Sequence, residues 1–175
     1  MAVFFEDKDY RAYLDLLAER TRFWGVDVWS YCLMPNHVHL IVVPPSPNAL
    51  SFAIGETHRR YAVRTNRPRG WSGHLWQERF RSCAMDEVHL YHAVRYVMRN
   101  PVRARLVSHP LDWPHSSAGV HLEGRPDPLV SRSALDGYVE DWEEYLRADL
   151  EPEQADLLRR HSRSGRPLIS GASEI

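Results

Sequence analysis

The stretch VDVWSYCLMPNHVHLIVV, residues 26–43, decides how this chain folds. β-Branched and aromatic residues dominate both of its halves, and the pair Pro35-Asn36 separates them. Residues 26–33 and 37–43 therefore predict two strands joined by a tight turn, which is a β-hairpin.

Helices are predicted on either side of the hairpin along the chain. Asp9 is a suitable N-cap and Gly25 a suitable stop for the first helix, and Asp86 is a suitable N-cap for a later one. The predicted elements outside the hairpin are a helix from 9 to 23, a helix at 48–64, a loop at 66–73, a strand at 75–84, a helix at 86–99, and two short acidic helices at 133–147 and 151–161. The order α-β-β-α-β-α predicts an α+β fold, with an antiparallel sheet and helices packed on one face.

The length of 175 residues suits one domain with an appendage. We predict a main domain over residues 1–110, a C-terminal loop and helices over 111–161, and a flexible tail over 162–175. The apolar runs are only a few residues long, far short of the ~18 that a membrane span needs. Two cysteines are too few for a disulfide framework. These features predict a cytoplasmic protein of bacterial type.

Charge is distributed unevenly along the chain. Residues 55–109 carry eleven basic and four acidic groups, whereas both flanking segments are net acidic. Every basic residue except Lys8 is arginine, and arginine suits bidentate contact with phosphate. A GC-rich coding bias is an alternative explanation for the choice of arginine, although it does not explain the clustering. The pattern predicts a surface that binds a polyanion.

Two histidines lie on the second predicted strand. Because side chains alternate along a strand, His37 and His39 share one face with Ile41. Two imidazoles at this spacing can hold one divalent metal ion. The alternative is a pair of partly buried histidines that are hydrogen-bonded to their neighbours, and the spacing by itself leaves both open.

Tyr96 and Asn100 lie near the end of the helix predicted at 86–99. They are four residues apart, so they are neighbours on one edge of its apolar stripe. Pro101 disfavours a further helical turn, which leaves the Asn100 amide free to reach outward. The alternative is an ordinary half-buried tyrosine followed by a helix-ending asparagine.

Five blocks of the sequence form one recognisable set. The blocks are YCLMPNHVHLIV at 31–42, WQERF at 76–80, RYVMRNPVRA at 95–104, DWPHSS at 112–117 and SGRPL at 164–168. Together they resemble the REP-associated tyrosine transposases, which are single-tyrosine transposases of the HUH type and act on single-stranded DNA. The resemblance extends over nearly the whole chain, and the blocks occur in the family's order.

This resemblance implies a ferredoxin-like or RRM-like HUH domain over residues 1–110, and a metal-dependent transposase that cleaves and rejoins single-stranded DNA at hairpins. His37, His39 and Asn100 would hold Mg²⁺ or Mn²⁺. Tyr96 would attack phosphorus, leaving a 5′-phosphotyrosine and a free 3′-hydroxyl. The covalent phosphodiester keeps the bond energy needed to rejoin strands.

The resemblance also gives the basic segment a partner, single-stranded DNA containing a hairpin. Trp71 or Trp76 could stack on an unpaired base. We expect a monomer or homodimer with no membrane association, and association with the nucleoid when DNA is bound. For each arginine the alternative is a solvated side chain without a contact. The arginines that could follow the DNA backbone are Arg59, Arg60, Arg64, Arg67, Arg69, Arg79, Arg81, Arg99 and Arg103.

One departure from the family pattern keeps other functions open. Family members generally begin with a strand before the first helix, and here the first strand is apparently missing, because the helix follows directly on MAVFFE, residues 1–6. Its absence is expected to expose a strand edge beside the histidine strand. The alternative is a domesticated or truncated protein that binds hairpin DNA without cutting it. A weaker alternative is a metal-dependent hydrolase of small phosphates.

Overall fold

The computed structural model describes residues 2–130, 135 and 137–171. A short 3-10 turn, Pro110–Asp112, separates the first part of the chain from the C-terminal helices. In chain order, the helices and strands are α1 (Asp7–Trp24), β1 (Asp27–Met34), β2 (His37–Val43), α2 (Pro47–Arg69), α3 (Glu87–Met98), α4 (Asn100–Arg103), α5 (Ala118–Glu123), α6 (Trp142–Arg147) and α7 (Pro152–Ser164).

The predicted hairpin is confirmed. β1 and β2 pair in antiparallel fashion, with Cys32 opposite His39 and Met34 opposite His37. The register shifts at a bulge between residues 28 and 30, which adds one residue to β1. This register places the two histidines on the same face of the sheet as Cys32 and Met34.

The two faces of the hairpin pack against different hydrophobic cores. Leu40 and Val42 pack against the core that contains residues of α1 and α2. Cys32 and Ile41 belong to the core that contains α3, α6 and α7. The predicted α+β class with a helical C-terminal region is confirmed, and helices cover both faces of the sheet rather than one.

The first helix begins two residues before the predicted N-cap. Glu6 is the N-cap, and Asp9 lies three residues later, where its carboxylate accepts hydrogen bonds from the backbone N–H groups of Phe5 (3.0 Å) and Glu6 (3.2 Å). Asp9 therefore stabilises this helix start from inside the first turn. Gly25, with φ of 66°, ends the helix as predicted.

The second helix is longer than the predicted 48–64, and the loop predicted after it begins later. It continues through Pro68 and ends at Gly70, which has φ of 63°. Pro68 has no backbone N–H, so the Arg64 carbonyl oxygen lacks its helical donor. The Arg69 guanidinium donates to the neighbouring Thr65 carbonyl oxygen at 3.0 Å, which adds a hydrogen bond to this last turn.

The strand predicted at 75–84 is wrong, because the structure has no strand over these residues. Leu75 is buried, and Trp76 and Phe80 pack against the same core as α1 and α2. The Trp76 indole N–H donates to the His58 carbonyl oxygen of α2 at 3.1 Å. The segment is therefore attached to α2 through single side chains instead of a ladder of backbone hydrogen bonds.

The outer edge of β1 is covered by the C-terminal part of the chain. The Leu33 N–H donates to the His115 carbonyl oxygen at 2.9 Å, and the Ser117 N–H donates to the Tyr31 carbonyl oxygen at 3.0 Å. Val130 bridges to the same strand further along. Within the described ranges, β2 pairs only with β1.

The C-terminal segments pack against the rest of the chain. Of the two helices predicted there, α6 and α7 begin at Trp142 and Pro152, whereas residues 133, 134 and 136 lie outside the described residues. Residues 162–164 complete α7 instead of starting a tail. Leu168 is buried, and its N–H donates to the Ala84 carbonyl oxygen at 2.8 Å. The division at residues 110 and 161 stays a prediction. No helix in the described part of the chain is both long and apolar enough to cross a membrane.

Candidate active site

The two strand histidines face each other closely. The Nε2 atoms of His37 and His39 lie 3.0 Å apart. The Nδ1 atom of His37 lies 2.7 Å from the Oδ1 atom of Asn36, and an amide oxygen can only accept a hydrogen bond. His37 therefore carries its proton on Nδ1, and its Nε2 lone pair faces His39.

Both histidines are neutral at pH 7. Burial lowers the pKa of His39 to about 3, and the neighbouring His37 and Arg103 lower it further by charge repulsion. Burial also lowers the pKa of His37. Neutral imidazole is the form that can donate a lone pair to a metal ion. In the structure the Nε2–H of His39 donates to the Nε2 lone pair of His37, so a shared ion would replace this hydrogen bond and His39 would carry its proton on Nδ1 instead.

The spacing of the two Nε2 atoms fits one shared ion. Two ligands about 2.1 Å from a small divalent ion, at the right angle that octahedral coordination requires, are about 3.0 Å apart. Among the described residues, no group of three or more His, Cys, Asp or Glu side chains is arranged to hold a metal. An ion held by His37 and His39 would therefore depend on other oxygen donors to complete its coordination.

Tyr96 is the side chain that α3 brings to the histidine pair. The helix starts after the predicted N-cap Asp86, whose carboxylate accepts from the His89 N–H at 3.1 Å. The rings of His39 and Tyr96 meet edge to face, with centroids 5.6 Å apart. Tyr91 of the same helix packs against Tyr145 of α6, with centroids 4.6 Å apart.

Asn100 lies one helical turn beyond Tyr96. It is buried, and it starts the short helix α4, which packs against β1. Its backbone carbonyl oxygen accepts from the Ala104 N–H at 2.9 Å. The expectation that Pro101 prevents a further helical turn is wrong, because residues 100–103 are helical. The role of Asn100 as a third metal ligand stays a prediction.

Arg103 has a position that the sequence reasoning missed. Its Cζ atom lies 3.8 Å from the centroid of the Tyr96 ring, which is a close cation–π contact. Burial lowers the pKa of Arg103, and its Nη1 atom is buried without a hydrogen-bond partner among the described residues. The seven-residue spacing between Tyr96 and Arg103, which is two helical turns, is the sequence feature that could have indicated this contact.

The structure divides the nine candidate arginines into two groups. Four of them are held by protein partners: Arg60 contacts Glu19, Arg69 contacts Asp9, Arg81 contacts Glu78, and Arg99 contacts Asp149. Arg103 is held by the Tyr96 ring. The arginines that are exposed and make no ion pair or side-chain hydrogen bond within the described residues are Arg59, Arg64, Arg67 and Arg79.

An α+β domain that sets strand histidines against a helical tyrosine, with unpaired arginines on its surface, has the features of a DNA-acting protein. The family model described as "Transposase IS200 like" matches residues 2–100, and the chain belongs to that family. The family assigns the chain to the transposases, enzymes that bind and cleave DNA. The match includes the histidine pair, Tyr96 and Asn100. Comparison with curated proteins and with solved structures gives no match.

Proposed function

We propose that this chain is a metal-dependent transposase that cleaves and rejoins single-stranded DNA at hairpin elements, through a 5′-phosphotyrosine intermediate. The observation that carries the proposal is the meeting of three side chains from two elements. His37 and His39 present two neutral Nε2 atoms 3.0 Å apart, and Tyr96 contacts the His39 ring from α3. A tyrosine hydroxyl beside two imidazoles that can hold a metal ion supports nucleophilic attack on a phosphodiester.

His37 and His39 would hold Mg²⁺ or Mn²⁺, with Asn100 as a third ligand. When bound, such an ion polarises the scissile phosphate. The Tyr96 hydroxyl oxygen attacks phosphorus and loses its proton. The bond from phosphorus to the 3′ oxygen breaks, and that oxygen takes up a proton to become a free 3′-hydroxyl. Attack by a 3′-hydroxyl on the phosphotyrosine reverses these steps and rejoins DNA.

The test of the nucleophile is the Tyr96→Phe variant. The wild type, with Mn²⁺ and a single-stranded hairpin oligonucleotide, is expected to form a DNA-linked species that survives denaturing gel electrophoresis. The variant lacks one oxygen atom, so it should keep its fold and bind DNA comparably while forming no adduct. Tyr91→Phe is the matched control, since it changes a tyrosine of the same helix that packs against Tyr145. An adduct formed by Tyr96→Phe would contradict the proposal.

The test of the metal site uses binding of Mn²⁺ measured by titration calorimetry as well as adduct formation. His37→Ala removes a proposed ligand, so it should abolish both. Asn36→Ala removes only the group that orients His37, so it should weaken Mn²⁺ binding by about 10–100-fold. Unchanged binding in His37→Ala would show that the site is wrong. If the wild type binds hairpin DNA and Mn²⁺ but never forms an adduct, the non-cutting binder is the better function.

A further inference from the structure

A groove lies between α2 and the segment of residues 71–80, which follows that helix. It is open to solvent and has a volume of about 850 Å³, within the size range of ligand sites. Its lining includes three arginines and three aromatic side chains, Arg59, Arg67, Trp71, Trp76, Arg79 and Phe80.

The groove walls are fixed by contacts between the helix and the following segment. The His58 ring stacks on Trp76 with centroids 4.1 Å apart, and the Trp76 indole N–H donates to the His58 carbonyl oxygen at 3.1 Å. The Asn66 amide donates to the Gly73 carbonyl oxygen at 3.1 Å. The groove therefore has a defined shape before any ligand binds.

One aromatic ring that lines the groove is well exposed. Trp71 is 48% exposed, with Phe5 against it edge to face at a centroid distance of 5.5 Å and the Arg69 guanidinium over the ring at 5.5 Å from its centroid. A large exposed indole on a braced support is a platform for a planar partner. In proteins that bind single strands, such rings stack on unpaired bases without regard to sequence.

The charge of the groove is positive and uncompensated. Arg59, Arg67 and Arg79 are exposed and make no ion pair within the described ranges. Glu78 also lines the groove, but it pairs with Arg81. Arginines that have no acidic partner are the ones free to contact phosphates.

The groove lies on the opposite side of the hairpin from the candidate active site. Trp76 and Phe80 pack against the core that includes Leu40. His39 neighbours Leu40 on β2 and therefore points to the other face, where Tyr96 contacts it. The part of a DNA strand that binds in the groove therefore cannot at the same time lie between His39 and Tyr96.

We propose that this groove is a second DNA site, which holds an unpaired segment of the substrate strand outside the active site. Bases would stack on Trp71, and phosphates would contact Arg59, Arg67 and Arg79. The proposal rests on the proposed function, because that function supplies single-stranded DNA as the ligand. Unpaired DNA fits better than duplex, because bases inside a duplex are already stacked and cannot reach an indole ring.

The test is the affinity of a fluorescein-labelled, single-stranded twelve-nucleotide DNA, measured by anisotropy in EDTA so that no cleavage occurs. The triple variant Arg59→Gln, Arg67→Gln, Arg79→Gln should bind it at least about tenfold more weakly, with a salt dependence of log K reduced by about 2. Arg64→Gln is the matched control, an exposed and unpaired arginine of α2 outside the groove. It should stay within about twofold of the wild type.

A second variant tests the stacking platform. Trp71→Leu should weaken binding of the single strand by about fivefold or more and leave binding of the matching duplex nearly unchanged. Phe23→Leu is its control, since Phe23 is also exposed, at 68%, and lies at the end of α1 away from the groove. Equal single-strand affinity of the wild type, the triple variant and Trp71→Leu would overturn the proposal, as would a preference of the wild type for duplex.

Photo-crosslinking keeps the proposal testable if a variant fails to fold. Wild-type protein crosslinked to the same DNA carrying 5-iodouracil should give modified peptides from residues 71–80. Crosslinks confined to other segments would overturn the groove. The outcomes also separate the two proposals. An adduct at Tyr96 with unaltered binding by the groove variants refutes only the groove, whereas groove-dependent binding without any adduct refutes only the cleavage function.

Discussion

At the scale of single residues, the surroundings of Arg103 leave open why an arginine stands at this position. A buried guanidinium nitrogen without a hydrogen-bond partner costs about 1–3 kcal/mol, whereas a desolvated cation over a tyrosine ring contributes about 2 kcal/mol. The two terms nearly cancel, so folding alone does not favour an arginine here. In the proposed reaction, the Arg103 guanidinium would hold the Tyr96 ring and offset developing negative charge.

The Arg103→Met variant should therefore separate stability from activity. The free energy of unfolding, from urea denaturation, should change by less than about 1 kcal/mol, because the lost cation–π contact and the relieved donor offset each other. The rate of adduct formation should fall about tenfold or more, equivalent to a loss of about 1.4 kcal/mol in the transition state. Arg105→Met is the control, an exposed arginine two residues away. An unchanged rate in Arg103→Met would exclude this role.

At the scale of elements, the hairpin depends on a segment that is distant in sequence. Ser117 is fully buried beside β1. Its hydroxyl oxygen accepts from the Tyr31 N–H at 3.1 Å and lies 3.1 Å from the hydroxyl of Ser30. The Tyr31 hydroxyl in turn donates to Asp127 at 2.7 Å. The segment around Ser117 thus supplies hydrogen bonds to the edge of β1, as a third strand would. It holds β1 in place, and β1 is the strand that pairs with the histidine strand β2.

Ser117→Ala is expected to destabilise the protein by about 1–3 kcal/mol. The change leaves the Tyr31 N–H buried and without its acceptor, and that loss costs more than a net hydrogen bond contributes. Thermal and urea unfolding followed by circular dichroism measure the effect. Ser72→Ala, at an exposed serine, should be neutral. If the two variants were equally stable, the hydroxyl of Ser117 would not support the edge of β1.

At the scale of the whole molecule, buried histidines make the fold sensitive to acid. Burial lowers the pKa of His58 to about 4, and it also lowers the pKa of His92 and His115. In the unfolded chain these rings take up protons near pH 6.5. The unfolded state therefore binds more protons than the folded state below that pH, and stability falls as the pH drops from about 6.5 towards 4.

His58→Gln should reduce this acid sensitivity. A single histidine contributes up to about 1.4 kcal/mol per pH unit to the slope of unfolding free energy between pH 6.5 and 4. Urea denaturation at half-unit pH steps measures that slope. Tyr13→Phe is the control, because it removes the 3.0 Å hydrogen bond to His58 but keeps the buried imidazole, and it should keep the slope. An identical slope in wild type and His58→Gln would contradict this account.

The sequence by itself determined the features that depend on neighbouring residues. Alternation and a Pro-Asn turn predicted the hairpin, and alternation alone put His37 and His39 on one face. The spacing of Tyr96 and Asn100 predicts that they are neighbours, because helix geometry fixes which residues are close within two turns, and this stays a prediction. The five sequence blocks predicted a transposase, and the family match over residues 2–100 agrees.

Only the tertiary structure decided which residues distant in sequence contact each other. The segment at 75–84 has a strand-like composition, but packing of Leu75 and Trp76 against α2 prevailed over strand pairing. The contact between His39 and Tyr96 depends on the core that β2 and α3 share. Which arginines are unpaired depends on where the fold places the acidic partners of the other arginines. The physical reason is that periodicity encodes local geometry, whereas burial and charge pairing depend on which surfaces the folded chain brings together.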